Sequence, residues 1–186
     1  MNDISITPLV TPDIYKALYD YVSIFATPIL PPDNIIIGWQ NRHYLPPNTN
    51  EYAVITVIDT KRRGTNTHEW YGDIDVPDNS IVKEMELVES GIQIDFCSNN
   101  DNAEKRARSI ELITRSEFGV NFLKTYNIAP LYADGTRDIS FVDQSEQYVR
   151  RFMTTVYISY WVNTTISVSS FTNAGIYLEN VDVEHH

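Results

Sequence analysis

The sequence predicts an α+β fold: a mainly antiparallel sheet with helices packed on it, plus an extended loop or hairpin arm. Three observations predict it. Ile92, Ile94 and Phe96 alternate strictly with Gln93 and Asp95, the period of a strand with one covered face. From Tyr148 to Val162 the even positions read Tyr, Arg, Phe, Thr, Val, Ile, Tyr, Val, so a second, longer strand turns a largely apolar face to a core. Between these strands Ala103, Ala107, Ile110 and Ile113 recur at helical spacing, and the small alanines let that helix approach the sheet closely.

The remaining elements follow in chain order. Thr11-Pro12-Asp13 reads as a helix start, with a capping hydroxyl, a proline at the first helical position and an acid near the positive end. Ile14, Leu18, Val22 and Phe25 then share a face, and Pro28, Pro31 and Pro32 end the helix, giving a span of roughly 11–26. Ile35-Ile36-Ile37 is a short β-branched strand. A loop with Pro46-Pro47 leads to Tyr52–Ile58, apolar at nearly every position, as a central strand covered on both faces would be. Residues 59–80 are polar and hold Lys61, Arg62, Arg63, Gly64, Trp70, Tyr71 and Pro77, a stretch read as a β-hairpin arm. Met85 and Leu87 alternate with Glu84 and Glu86, and the phase changes at Ser90-Gly91, where glycine suits a bulge or bend. Asp101 is placed to cap the Ala103/Ala107 helix, and Ser116 to cap a second piece carrying Phe118, Phe122 and Leu123. Val168, Phe171, Ile176 and Leu178 suggest a last strand pair turning at Asn173-Ala174-Gly175.

A chain of 186 residues with 42% hydrophobic and 21% charged residues fits one domain, taken here as 1–183. Glu184-His185-His186 are set aside as the kind of residues a purification tag leaves. The net charge of −11 argues against a phosphate-binding surface made by the whole molecule. Such charge serves solubility, and on a channel wall it would let DNA slide without sticking. Cys97 is the only cysteine, which excludes an intramolecular disulfide and a Cys-rich zinc site, and it reads as a small buried or half-buried side chain. The sequence shows no run of 18 apolar residues for a membrane helix and no signal-peptide pattern at its polar start.

No stretch carries a recognisable catalytic chemistry. There is no P-loop, dinucleotide-binding glycine motif, nucleophile elbow or zincin helix. His43 and His68 sit in separate polar loops without a second ligand at helical spacing. Asp134-Gly135-Thr136-Arg137-Asp138 lacks the ligand series of a calcium hand and reads as a turn with a local Arg–Asp contact. Asp95, mid-strand, is better explained by an ion pair with Arg150 or Arg151 than as a catalytic acid. Lys61-Arg62-Arg63 alone is weak ground for nucleic-acid contact. The expectation is therefore no enzyme, no catalytic residue, no metal and no cofactor. Two groups suit protein contacts instead. Trp70 and Tyr71 are of the type that anchors interfaces, and Arg62 and Arg63 could pair with acidic surface on a neighbour. Met153, Tyr157 and Trp161, on the odd face of the last long strand, need cover from another element or another subunit.

Trp39-Gln40-Asn41 before Pro46-Pro47 and Tyr52, then Ile92 to Phe96 with Ala103 and Ala107, then Gly119, Pro130-Leu131-Tyr132 and Tyr148 to Arg151, form an ordered series of words. In order and spacing they resemble the tail-terminator or neck-terminator proteins of tailed bacteriophages, over about two-thirds of the chain. Residues 59–80 match nothing in that pattern. The resemblance implies an α+β fold and a virion part located in the tail or neck and assembled in the host bacterial cytoplasm. It implies a hexameric ring that caps the tail tube, stops its polymerisation and meets the head-neck connector protein. The implied partners are further copies of the chain, the tail tube protein and the connector, with DNA passing through the hole without specific binding and no membrane. The alternatives are a head-completion or tail-tube protein of the same virion and, from a different class, a small-ligand-binding domain.

Overall fold

In a computed structural model of the chain the described residues are 6–38, 51–72, 80–142 and 148–168. Helix α1 spans Ile14–Phe25 and leads through a 3₁₀ turn at Pro32–Asn34 into strand β1, Ile35–Ile37. Strands β2, Tyr52–Arg62, β3, Thr67–Tyr71, and β4, Ser80–Ser98, follow. Helices α2, Asn102–Thr114, and α3, Glu117–Lys124, come next. The short strands β5, Ile128–Ala133, β6, Arg137–Asp138, and β7, Phe141–Val142, precede the long β8, Tyr148–Val168. The fold is α+β, as the periodicities predict.

The sheet is built around β4 and β8, which pair antiparallel in unbroken register from Ser80 opposite Val168 to Ser98 opposite Arg150. The order across it is β1-β2-β4-β8-β5, and only the β1–β2 pair is parallel. Because opposite residues of an antiparallel pair point to the same side, this register fixes two faces. One face carries Ala53, Ile55, Val88, Ile92, Ile94, Phe96, Phe152, Val156, Ile158, Tyr160 and Val162, all buried in a single cluster with Ala17, Leu18, Tyr21 and Val22 of α1, Ala103, Ala107 and Ile110 of α2 and Leu123 of α3. The predicted even face of β8 and the predicted alanine face of α2 thus meet. No residue of the other face belongs to that cluster.

Several expectations are corrected in detail. Helix α1 begins at Ile14, not near Thr11, because the Asp13 carboxylate reaches the Lys16 amide at 2.9 Å and takes the capping position. Asp101 stands at the start of α2 without capping it. Its carboxylate pairs with Arg150, and Asn100 Oδ1 accepts from the Asn102 amide instead, at 2.8 Å. Ser116 does cap α3, accepting from the Gly119 amide at 3.3 Å. Phe118 is 74% exposed, because Gly119 and Leu123 form the buried side of that short helix. The two faces of strand β2 are unequally buried. The strand meets β1 only at Ala53–Ile55, buries Ala53 and Ile55 toward the helices, and leaves Ile58 exposed.

Gly91 is not itself a bulge. The extra residue is Ile58 in β2, between Val57 opposite Ile92 and Asp59 opposite Gly91, while β4 runs straight past in register with Tyr157. The apparent phase change before it has another cause: Met85 and Leu87 lie on the face of the same straight strand turned away from the helices. Of the stretch 59–80 read as a β-hairpin arm, residues 59–72 and Ser80 are described. Asp59–Arg62 ends β2 and Thr67–Tyr71 is β3, and both run in one direction along β4, interrupted at residues 63–66. The return strand is β4 itself. Residues 73–79, the WQN word, His43, the Pro46-Pro47 loop and the strand pair expected around Phe171, Ile176 and Leu178 lie outside the described residues.

Candidate functional site

The face of the sheet turned away from the helices is where unassigned chemistry concentrates. Along β8 it presents Arg151, Met153, Thr155, Tyr157, Ser159 and Trp161, opposite Cys97, Asp95, Gln93, Gly91, Glu89 and Leu87 of β4. A register shift in β5 between Pro130 and Tyr132 sets Tyr132 opposite Tyr157, and the two rings stack at 4.4 Å with 20° between planes. Gly91 makes room for this pair: a Cβ there would stand 3.2 Å from the Tyr157 ring and 3.5 Å from Ile58. Trp161 is 49% exposed, and Met153 and Tyr157 are half-buried. The three residues expected to share one face therefore do share it, and Tyr132 joins them.

Beside the aromatic pair lies a polar patch sealed by its own contacts. Arg151 Nε donates to Asp95 Oδ1 at 3.1 Å, and Gln93 Nε2 donates to Asp95 Oδ2 at 2.7 Å. This is the ion pair the sequence suggested, with Arg151 rather than Arg150. Arg150 turns to the helix face, pairs with Asp101 and lies 5.3 Å from the Phe152 ring centre. Asp95 is 3% exposed while Arg151 is partly open, so the guanidinium lids a buried carboxylate. Burial pushes the Cys97 thiol up, and it pushes the Tyr52 phenol up beside it. Neither group is set up as a nucleophile at neutral pH.

The arginines and aromatics of 62–71 take a separate place, on the sheet edge. Arg62 Nε donates to the Gly64 carbonyl at 2.6 Å, its Nη2 donates to Asn66 Oδ1 at 2.8 Å, and Glu86 lies 3.6 Å away. Arg63 donates to the buried Glu89 at 2.5 Å, and its amide bonds the Leu87 carbonyl at 2.9 Å. Both arginines thus brace the 63–66 interruption within the chain. Trp70 is 61% exposed and Tyr71 51% exposed. Trp70 points to the helix-side face, where His68, Val82, Glu84 and Ile166 join it around a shallow groove. Tyr71 is on the opposite side and donates to Glu69 at 2.5 Å.

Sequence reasoning missed a second polar centre. Arg106, 2% exposed on α2, donates to Glu51 Oε2 and to the Pro28 carbonyl, each at 2.7 Å. Ser98, Asn100 and Asn102 donate to Glu51 Oε1, each at 3.0 Å. Burial alone would push the Glu51 carboxyl up, but these donors outweigh it and hold it down at about 2. The centre ties three segments together. An arginine at a helical i+3 position from Ala103 was the available signal. The 134–138 turn is also held differently from expectation. Glu111 accepts from the Thr136 amide and hydroxyl at 3.0 and 2.9 Å, and no ion pair joins Arg137 to Asp134 or Asp138. Among the described residues no group of three His, Cys, Asp or Glu could hold a metal ion, and no helix is long and apolar enough to cross a membrane.

Among the described residues the features that stand out are a sheet face with stacked, partly exposed aromatics and an exposed strand braced by two arginines. No curated protein matches the sequence. The family model for the phage neck terminator protein matches residues 12–183, a span that takes in every helix and strand described above. The chain belongs to the phage neck terminator protein family.

Proposed function

We propose that this chain is the virion part that forms a hexameric ring at the tail end of the neck, caps the tail tube and joins it to the head-neck connector. The observation that carries the reading is the family match over 12–183, in a structural rather than an enzymatic family. The open sheet face supports it. A face with Met153, Tyr157, Tyr132 and Trp161 on a sheet whose other side holds the whole core suits burial against protein. The net charge of −11 suits a ring that DNA traverses without binding. Such a protein needs no metal or cofactor. Its place of assembly would be the host cytoplasm, and its place of action the neck.

Loss of the protein from an infecting phage tests this. The expected products are DNA-filled heads and separate tails, with tubes of uncontrolled length, and joining restored by supplying the protein. Normal virions in its absence would contradict the reading. Purified chain that stacks without limit would point to a tube protein, and heads that leak their DNA before any tail is present would point to head completion.

A further inference from the structure

We propose that the groove at Trp70 and Glu84 seats the outer side of helix α2 from a neighbouring copy of this chain. The proposal rests on the ring reading and names one contact that closes the ring. The helix-side face of the sheet runs on past its helices. On the two long strands the buried cluster ends at Val88 and Val162. Beyond it lies an apolar row in register: Ile6 faces Ile166, Ile166 faces Val82, and Val82 faces Trp70. Paired residues of antiparallel strands point to one side, so these four side chains share a face. Trp70 is 61% exposed and Ile6 63%, so both ends of the row are bare. Glu84 and His68, opposite one another, flank the row on the side of the core. The other acids of this part of β4 are engaged, Glu86 with Arg62 and Glu89 with Arg63, whereas Glu84 has no ion pair or hydrogen bond among the described residues. An apolar row beside an unpaired carboxylate fits an occupant that brings apolar surface and one cation.

The outer stripe of α2 has that character. Lys105, Arg108, Leu112 and Arg115 recur at helical spacing on the exposed side of the helix, and Leu112 is 71% exposed. Arg108 and Arg115 pair with Glu104 and Glu111 of the same helix, which leaves Lys105 as the cation of the stripe without an ion pair among the described residues. With Leu112 on the apolar row, Lys105 stands two turns away, about 10.5 Å along the helix axis. Glu84 lies two residues along the strand from Val82, about 7 Å, and the length of a lysine side chain spans the difference. The other strongly exposed apolar pair, Ile24 and Ile29, lies in the stretch 20–34, which holds Asp20 and Asp33 and no cation, so its charge does not complement Glu84. A neighbour supplies the helix because a chain's own α2 ends out of reach. Arg115 donates to the Ala133 carbonyl, Ala133 faces Val156, and Val156 faces Ile92. Ile92 is ten residues of straight strand from Val82, about 33 Å. Groove and helix are thus different surfaces toward opposite ends of one sheet, and copies joined through them meet head to tail, the condition for a closed ring.

The test supplies full-length chains carrying Glu84→Lys, Lys105→Glu or both to a phage that lacks the protein. Each single variant sets like charges against each other at every contact and is expected to join heads to tails about tenfold less, while the double variant returns to within about threefold of the parent. The melting temperature of each free chain should be unchanged, which separates a lost contact from a lost fold. Cross-linking gives a second readout. Trp70→Cys and Leu112→Cys in separate chains, assembled together and treated with a short bis-maleimide, should give a covalent dimer, and the two substitutions in one chain a ladder of oligomers. Cys97 is buried and serves as its own control in the parent chain. Normal joining by both single variants, a double variant no better than the singles, or cross-links only to a different protein would each overturn the proposal. Absence of cross-links in particles whose neck ring is visible would overturn it too, while leaving the ring reading intact. Particles in which the chain forms no ring would reject that reading itself, and this proposal with it.

Discussion

Gly119 shows how one hydrogen in place of a methyl group fixes an angle between helices. A Cβ at Gly119 would stand 2.2 Å from the Ile113 carbonyl oxygen, a backbone atom that cannot rotate away. Gly119→Ala is therefore expected to destabilise the protein by about 1–3 kcal/mol, read as a lower denaturant midpoint with unchanged slope. Arg151→Ala is expected to cost about 2 kcal/mol, toward the lower end for a broken buried pair because Arg151 is partly exposed, and Asp95→Asn/Arg151→Ala should recover part of that loss. Glu51 gives an acid dependence. Its carboxyl is held at about 2 in the fold against an ordinary 4.5, so its contribution is present above about pH 5 and is lost as pH falls toward 2. Glu51→Gln should flatten the stability profile in that window. At this scale the sequence was informative where charge had one economical partner, as for Asp95. It was silent on Arg106 and Glu51, which are 55 positions apart and meet only in the folded chain.

At the scale of elements, period carried most of the information. The even face of β8, the alternation from Ile92 to Phe96 and the alanine face of α2 were legible because each has one covered side, and covering one side leaves a period in the sequence. Boundaries were less legible, since two capping residues competed at the start of α1. The structure favours Asp13, so Asp13→Ala should lower stability by about 1 kcal/mol in thermal or chemical unfolding, while Thr11→Ala should leave it within error. The stretch 59–80 was read as a β-hairpin arm, and its described part supplies the end of β2 and the strand β3, both paired antiparallel with β4. An edge strand exposed on both faces and interrupted by a bulge has polar composition, a glycine and no period, and those are also the marks of a loop. Likewise, the nearly continuous apolar run Tyr52–Ile58 suggested burial on both faces. It instead reflects one face toward helices and a second that the single chain leaves partly open.

At the scale of the molecule, asymmetry is the main fact. The helices and the whole hydrophobic cluster lie on one side of the sheet, and the other side carries stacked tyrosines, a half-exposed tryptophan and a lidded ion pair. That asymmetry was visible in the sequence as the mixed odd face of Tyr148–Val162, but its meaning was not, because composition does not distinguish cover by a helix from cover by a neighbour. No cation-binding cluster occurs among the described residues, so chelation with EDTA should leave the melting temperature unchanged, and a clear drop would show a metal in the fold. The central claim is that this asymmetric domain closes into a ring in the neck and buries its open face there. An electron cryomicroscopy map of the intact virion tests it most directly. The account predicts six copies of this chain in a closed ring between the tube end and the connector, with Met153, Tyr157 and Trp161 covered by protein. A neck without this chain, or a ring in which all three side chains face solvent, would contradict it.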